Sequence, residues 1–174
     1  MSTTQPARRL QLFGAIAALG ILILDQASKW WVLEVFDLPA KVSVPVLPML
    51  NLTMVWNRGI TFGLLSSDST LAATLLAALA LGVVVALGLW LRRAERLPVA
   101  LALGAVSGGA VGNVIDRLRF GAVVDFIHAH VDTPWGELSW YVFNVADAAI
   151  VCGVVVLIID SQWPRRATPA AERS

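Results

Sequence analysis

Four long apolar segments, separated by stretches that hold most of the polar residues, organise the chain. A helix needs about 20 apolar residues to cross the hydrocarbon core of a bilayer. The predicted helices cover residues 10–33, 71–91, 97–117 and 142–159. The first segment offers no convincing small-residue cleavage site at its end, so we interpret it as a retained helix and not as a signal peptide. The pattern predicts an all-α membrane protein with four transmembrane helices in a single domain, residues 1–174.

The two long connections between these segments carry shorter patterns. Residues 36–69 alternate apolar and polar positions, which predicts a small β-sheet, and three prolines confine its first strand to an edge. Asn57-Arg58-Gly59 predicts a turn, after which Ile60-Thr61-Phe62 returns as a second strand. In the second connection, residues 118–141, a strand-like stretch precedes Pro134-Trp135-Gly136, which we interpret as a turn dipping into the membrane interface.

Basic residues lie at alternate ends of the apolar segments. They precede the first segment, separate the second from the third, and follow the fourth: Arg8 and Arg9; Arg92, Arg93 and Arg96; Arg165, Arg166 and Arg173. By the positive-inside rule, both termini are predicted to be cytoplasmic and both long connections to face outward. Tryptophans near the segment ends form the expected aromatic belt: Trp30, Trp31, Trp135 and Trp140 outside, and Trp90 and Trp163 inside.

Composition agrees with a membrane location. The chain is 57% hydrophobic and 14% charged, whereas a soluble domain carries about 25% charged residues. The arginines occur in small groups at the ends of apolar runs, so no nucleic-acid partner is predicted. The single cysteine, Cys152, excludes an internal disulfide, and we expect it to pack in the apolar run that contains it.

Polar residues inside the apolar segments converge on the outward side. Since the first and third helices run outward and the fourth runs inward, one depth holds Asp25, Lys29, Asn113, Asp116, Arg117, Asn144 and Asp147. Asp125 follows the third helix in the outer connection and lies at the same level. Ionisable groups at membrane depth are unfavourable without a partner or a wet cavity, which makes these residues functional candidates.

Most of these residues also have a purely structural interpretation. Asp25 and Lys29 are i, i+4 and can pair to anchor the first helix. Asp116 and Arg117 can mark the end of a helix at the lipid headgroups. A stripe of small residues allows another helix to approach closely: Gly104, Gly108 and Gly112.

Asp125 and Asp147 are the pair of residues best suited to acid–base chemistry. Asn144 and Asp147 also fit a structural capping box. Two carboxylates in one low-dielectric site hold a single proton, so the charged one can activate a water while the neutral one donates to a carbonyl. The sequence leaves open whether the two aspartates meet. His128 and His130 face away from Asp125 in a strand and have no further ligands, so no metal site is predicted.

Between residues 25 and 147 the chain resembles the type II lipoprotein signal peptidases of bacteria. Five segments carry the resemblance in order: Asp25-Gln26-Ala27-Ser28-Lys29, Asn57-Arg58-Gly59-Ile60-Thr61-Phe62-Gly63, residues 108–117, Val123-Val124-Asp125-Phe126-Ile127 and Phe143-Asn144-Val145-Ala146-Asp147. The second segment resembles the family's Asn-x-Gly-x-x-Phe-Gly loop. It departs from the family at Ile60-Thr61, where small residues are usual.

The resemblance implies a membrane aspartic endopeptidase that removes the signal peptide from diacylglyceryl-modified prolipoproteins, just before the lipidated cysteine. It implies that Asp125 and Asp147 form the catalytic dyad and that no metal or organic cofactor takes part. Residues implied to bind substrate or support the site are Asp25, Lys29, Asn57, Gly59, Asn113, Asp116, Arg117 and Asn144. The expected partners are the diacylated prolipoprotein and membrane lipids, and the expected form is a monomer in the bacterial inner membrane.

Two other classes compete with this interpretation. A small proton-coupled transporter also keeps aspartates among membrane helices, but here the polar residues gather at one end and trace no path across the bilayer. A non-catalytic assembly protein would use the charges to hold helices together. That alternative gives the outer sheet and the Asp125 segment no role.

Overall fold

The computed structural model describes residues 4–59 and 70–162. Helix α1 (Thr4–Trp30) continues into a π-helical turn (Trp31–Val35) and is followed by the short helix α2 (Leu38–Lys41). The remaining elements in chain order are β1 (Ser43–Leu47), β2 (Leu50–Asn57), α3 (Thr70–Leu91), α4 (Leu97–Phe120), β3 (Val123–Thr133), β4 (Gly136–Ser139) and α5 (Val145–Gln162). The predicted strand over residues 60–62 lies outside the described residues, as do Trp163 and the basic residues at 165, 166 and 173.

The described part of the chain contains four helical segments long and apolar enough to cross a membrane, as predicted. They are Arg8–Val35, Leu71–Leu91, Leu97–Phe120 and Val145–Gln162. The fourth helix begins at Val145 and not at the predicted residue 142, because the two residues before it form a β-bridge and a helix cap. Phe143 forms a β-bridge with Ile127, and the Asn144 side chain caps the helix.

Helix α4 lies at the centre of the bundle and packs against α1, α3 and α5. Its glycines permit this, because a Cβ at Gly104 or Gly108 would collide with the backbone of α1 at Gly14 or Ala18. Gly109 faces the other neighbour, where an added Cβ would lie 2.6 Å from the Ala146 carbonyl oxygen of α5. The predicted close approach along the small-residue stripe is confirmed.

A four-stranded antiparallel sheet covers one end of the bundle in the order β1-β2-β3-β4. The small sheet was predicted, but its composition differs from the prediction. The strand paired with β2 on its inner side is β3, which comes from the second connection and not from the first. The edge position predicted for the proline-containing strand is confirmed, since β1 is an edge strand whose register shifts after Pro45.

The sheet is fixed to the bundle by a small apolar core. Val124 and Phe126 of β3 pack against Val32 of the π-helical turn and Leu38 of α2, and all four side chains are buried. Successive side chains of a strand point to opposite faces. Asp125, between Val124 and Phe126, therefore points to the face of β3 opposite this core.

The other end of the bundle contains a second apolar core and an ion pair. Leu103 of α4 is completely buried among side chains that include Leu10 and Leu157. Close to it, Arg96 Nη1 lies 3.0 Å from Asp160 Oδ1. Both side chains are partly exposed, so this pair contributes little to stability.

A Gly104→Ala variant tests the helix contact. Its Cβ would meet the Gly14 carbonyl, so α1 must move away from α4, and we expect the free energy of unfolding to fall by about 1–3 kcal/mol. The measurement is thermal unfolding of the purified protein in detergent. The matched control is Gly82→Ala, whose Cβ has nothing within 4 Å. Alanine favours a helix over glycine, so Gly82→Ala should leave the melting temperature unchanged or raise it. Equal melting temperatures for the two variants would contradict the contact.

Candidate active site

Buried polar side chains gather where α1, α4, β3 and α5 meet, beneath the sheet. Those buried among the described residues are Asp25, Lys29, Asn113, Asp116, Asp125 and Asn144. Asp147 and Arg117 are partly buried beside them. The structure therefore brings together the candidates that the sequence placed at one depth, and hydrogen bonds connect them.

The Lys29 ammonium group lies at the base of this cluster. Its Nζ atom is 2.8 Å from Asp25 Oδ2, 2.7 Å from Asp116 Oδ2 and 3.1 Å from Asn113 Oδ1. These three acceptors match the three donors of an ammonium group. A charge removed from water is stable only when it is paired and hydrogen-bonded, and Lys29 is only 2% exposed. The ion pair inferred from the i, i+4 spacing thus extends to a second carboxylate, from α4.

Both carboxylates also hold backbone groups. Asp25 Oδ1 accepts a hydrogen bond of 3.0 Å from the Ala146 N–H, and Asp116 Oδ2 accepts one of 3.1 Å from the Val124 N–H. Ala146 directly precedes Asp147, and Val124 directly precedes Asp125. The Lys29 ion cluster therefore ties together the two chain segments that carry the candidate aspartates.

Gln26 is a member of the cluster that sequence reasoning missed. Its Nε2 atom donates to Asp116 Oδ1 at 3.0 Å, to Asp25 Oδ2 at 3.2 Å and to the Gly112 carbonyl at 3.3 Å. It thus links the same two carboxylates as Lys29. The available signal was its position inside the first family-like segment, but a glutamine beside two ionisable residues attracts no attention by its own chemistry.

The capping box predicted at the start of α5 is present. Asn144 Oδ1 accepts a hydrogen bond from the Asp147 N–H at 2.9 Å, and Asp147 Oδ2 accepts one from the Asn144 N–H at 3.3 Å. This leaves the other carboxylate oxygen of Asp147 pointing elsewhere: Oδ1 accepts a hydrogen bond of 2.8 Å from Asn113 Nδ2. The cap and the site are therefore compatible, because each uses a different oxygen of the same side chain.

Two asparagine side chains connect the ion cluster to both aspartates. Asn144 Nδ2 donates to Asp125 Oδ1 at 2.7 Å and to Asn113 Oδ1 at 3.2 Å. Asn113 in turn donates to Asp147 and accepts from Lys29. Asp125 and Asp147 are thus joined through two amide groups, although they are far apart in the sequence and lie on different elements.

Asp125 is buried and hydrogen-bonded at both oxygens. Asn57, at the end of β2, donates from Nδ2 to Asp125 Oδ2 at 2.9 Å, while its own Oδ1 accepts the Gly59 N–H at 2.9 Å. Gly59 has φ of 87°, a conformation that favours glycine. Burial raises the pKa of Asp125 from 3.8 to about 6; the hydrogen bond from Asn57 lowers it, and the charge of Asp147 raises it.

Arg117 supplies a cationic group next to this site. Its Nη1 atom donates to the Asn113 carbonyl at 3.2 Å. Its buried Nε atom has no hydrogen-bond partner within residues 4–59 and 70–162. A Cβ at Gly59 would lie 4.0 Å from Arg117 Nη2, so the guanidinium extends toward the Asn57–Gly59 segment. The site thus has a cation close to Gly59 with a donor that the described residues leave unused.

His128 and His130 lie farther along β3, on the face opposite Asp125. Their ring centroids are 5.7 Å apart, and His128 Nε2 lies 3.1 Å from Ser139 Oγ. Across the part of the chain that the structure describes, no three His, Cys, Asp or Glu residues are grouped closely enough to hold a metal ion.

The arrangement at Asp125 and Asp147 suits general acid–base chemistry. Burial raises the pKa of Asp125 to about 6, Asp147 lies close enough to influence that pKa, and neutral amides hold both carboxyl groups. Such a pair can accept one proton and donate another in a single site.

The chain matches known proteins over nearly its whole length. The profile of the family described as signal peptidase (SPase) II matches residues 17–163. The lipoprotein signal peptidase of Nitrobacter hamburgensis is 46% identical over 159 residues, which cover 91% of this chain and 95% of the relative. That of Methylorubrum extorquens is 48% identical over 159 residues, which cover 91% of each chain.

A solved structure agrees with the sequence comparison. It is described as a bacterial membrane enzyme, and it superposes with a TM-score of 0.72 at 28% sequence identity. The superposition covers 87% of this chain and 94% of the other. Sequence and fold together show that the chain belongs to the signal peptidase II family.

Proposed function

We propose that the protein is an aspartic endopeptidase that cleaves the signal peptide from diacylglyceryl-modified prolipoproteins, just before the lipidated cysteine. Membership of the signal peptidase II family supports a peptidase, and the relatives named lipoprotein signal peptidase support a prolipoprotein substrate. The aspartic mechanism rests on the chemistry of the site. The observation that carries it is the linkage of Asp125 to Asp147 through Asn113 and Asn144.

In this mechanism the two aspartates share one proton and bind the attacking water. The ionised carboxylate takes a proton from the water as its oxygen bonds to the scissile carbonyl carbon, and the protonated carboxyl donates its proton to the carbonyl oxygen. The tetrahedral intermediate collapses when the carboxyl that took the water proton gives it to the amide nitrogen and the carbon–nitrogen bond breaks. A hydroxyl of the intermediate returns its proton to the other carboxylate, which restores the singly protonated pair. The proton belongs to the coupled pair and not to one residue. No metal or organic cofactor is needed.

The remaining site residues either bind the substrate or hold the two aspartates in position. Asn57, Gly59 and Arg117 lie beside Asp125 and offer polar groups to an extended peptide. Asn113 and Asn144 orient the aspartates. They also position the substrate backbone near the scissile bond. Support comes from the ion cluster of Asp25, Lys29 and Asp116.

We infer that the site lies near the outer face of the inner membrane and that both termini are cytoplasmic. The described basic groups near Arg8 and Arg96 lie at the end of the bundle opposite the site, as the positive-inside rule requires. A lipidated precursor keeps its acyl chains in the outer leaflet, which brings its scissile bond to the depth of Asp125 and Asp147. The proposed form is a monomer surrounded by membrane lipid.

Replacing either aspartate by asparagine tests the dyad. Asp125→Asn and Asp147→Asn each remove a group that must gain or lose a proton, so we expect kcat to fall by about 10²–10⁴-fold or more. The measurement is cleavage of a diacylated precursor by the detergent-purified protein. The matched control is Asp160→Asn, which changes an aspartate at the opposite end of the bundle and should keep full activity.

Two outcomes would remove the proposal. Full activity of purified Asp125→Asn or Asp147→Asn would exclude the dyad while leaving family membership intact. Proton-driven solute flux into vesicles, without a new peptide end in the precursor, would support the transporter alternative.

The rate should depend on the charge of the pair. Because the singly protonated dyad is the active form, the rate should fall as the pH rises through the pKa of about 6. The hydrogen bond from Asn57 lowers this pKa, so Asn57→Ala should move the descending limb to higher pH.

The pH–rate profile of kcat for both proteins checks this expectation. Asn51→Ala, on the same strand, is the matched control and should leave the limb in place. A limb that stays fixed in Asn57→Ala, or moves to lower pH, would show that Asp125 does not control the rate.

A further inference from the structure

The hairpin formed by β3 and β4 extends beyond the site and has two different faces. Val131 pairs with Leu138, and the Trp140 N–H donates to the Ala129 carbonyl. Residues directly opposite each other in an antiparallel pair lie on the same face, and residues i and i+2 share a face. Val131, Leu138 and Trp140 therefore form one apolar face.

The opposite face of the hairpin is polar. It carries His128, His130 and Ser139, and His128 Nε2 lies within hydrogen-bonding distance of Ser139 Oγ. The turn at the tip holds Pro134 and Trp135, and Tyr141 lies at the base where the chain turns toward α5. The hairpin is thus amphipathic, with aromatic residues at both of its ends.

The apolar face is unusually open. The exposed fractions are 70% for Leu138 and 69% for Trp140, while Trp135 at the tip is 93% and Tyr141 at the base 88% exposed. Large apolar side chains exposed together mark a contact surface. Nothing in the described part of the chain covers them.

The position of the hairpin identifies what covers this face. Tyr141 lies four residues before Val145, where a spanning helix begins. A chain reaches at most about 3.6 Å per residue, so Tyr141 lies within roughly 15 Å of that helix start. The bridge between Phe143 and Ile127 holds β3 there as well. The base of the hairpin therefore lies at the level where a membrane-spanning helix begins, next to lipid.

The residue types agree with a lipid surface. Tryptophan and tyrosine concentrate where the hydrocarbon core meets the headgroups, because their rings are apolar at one end and polar at the other. Trp30 and Trp31, 60% and 43% exposed, lie at the end of α1 that contacts the start of α5 through Asp25 and Ala146. A second copy of the chain would cover the apolar face equally well, but it would not explain why Trp140 and Tyr141 lie just before a membrane-spanning helix begins.

We propose that the β3–β4 hairpin is a membrane-binding element that rests its Val131, Leu138 and Trp140 face, with Trp135 and Tyr141, on the bilayer leaflet at the Asp125 end of the bundle. Asp125 and Val131 lie on the same strand and the same face, since their positions differ by an even number. The proposed lipid contact is therefore made by the same face of β3 that carries Asp125. This role is independent of the chemistry that the site performs.

A pair of single-cysteine variants tests the contact. In a Cys152→Ser background, Leu138→Cys and Ser139→Cys place an environment-sensitive fluorophore on adjacent positions of opposite faces. The full-length protein is reconstituted into vesicles of phosphatidylcholine and phosphatidylglycerol. Emission is measured with acyl-chain-brominated lipid and, separately, with aqueous iodide as the quencher.

The expected result is a blue-shifted emission at position 138, with a loss of emission in brominated lipid and little loss in iodide. Position 139 should show the reverse. Equal quenching by iodide at both positions would mean that the hairpin projects into water. Protection of position 138 from both quenchers would mean that protein covers the face, and either result would overturn the proposal.

Discussion

The buried ammonium group of Lys29 is the constraint on which the functional end of this protein depends. A charge in this environment is tolerated only if its partners are close and correctly oriented. Asp25 of α1 and Asp116 of α4 satisfy it at 2.8 and 2.7 Å. Each of these carboxylates also accepts a backbone hydrogen bond. Asp25 accepts from the residue before Asp147, and Asp116 accepts from the residue before Asp125. Satisfying one charge therefore fixes two distant chain segments.

That arrangement needs helices that approach closely. The glycine stripe of α4 lets the backbone of α1 lie directly against it, and at the top of the stripe Gly112 makes room for the Asp25 carboxylate itself. A side chain at Gly112 would occupy the space of Asp25 Oδ2. Packing and electrostatics are thus coupled: the small residues that bring the helices together also admit the carboxylate that pairs with Lys29. Hydrogen bonds of Asn113 and Asn144 then connect the ion cluster to Asp125 and Asp147.

Much of this could be predicted from the sequence, because some of its constraints are local. Run lengths give the four helices, and the i, i+4 spacing of Asp25 and Lys29 gives their ion pair. The capping box at Asn144 and Asp147 was also readable, since it depends on residues three positions apart. The contacts between elements that are distant in sequence could not be predicted in this way. Nothing local indicates that β2 pairs with β3, that Asp116 shares Lys29 with Asp25, or that Asn144 reaches Asp125. The family resemblance pointed to Asp125 and Asp147, but their linkage through two asparagines emerges only from the fold.

We propose that this end of the bundle hydrolyses one defined peptide bond in a lipidated precursor. The most direct measurement is incubation of the purified protein with a synthetic diacylglyceryl-modified prolipoprotein, followed by mass spectrometry of both products. We expect two fragments whose masses sum to the precursor plus one water, with a free carboxyl on the released signal peptide and the lipidated cysteine at the new amino terminus. An intact precursor, or a cut at any other bond, would contradict it.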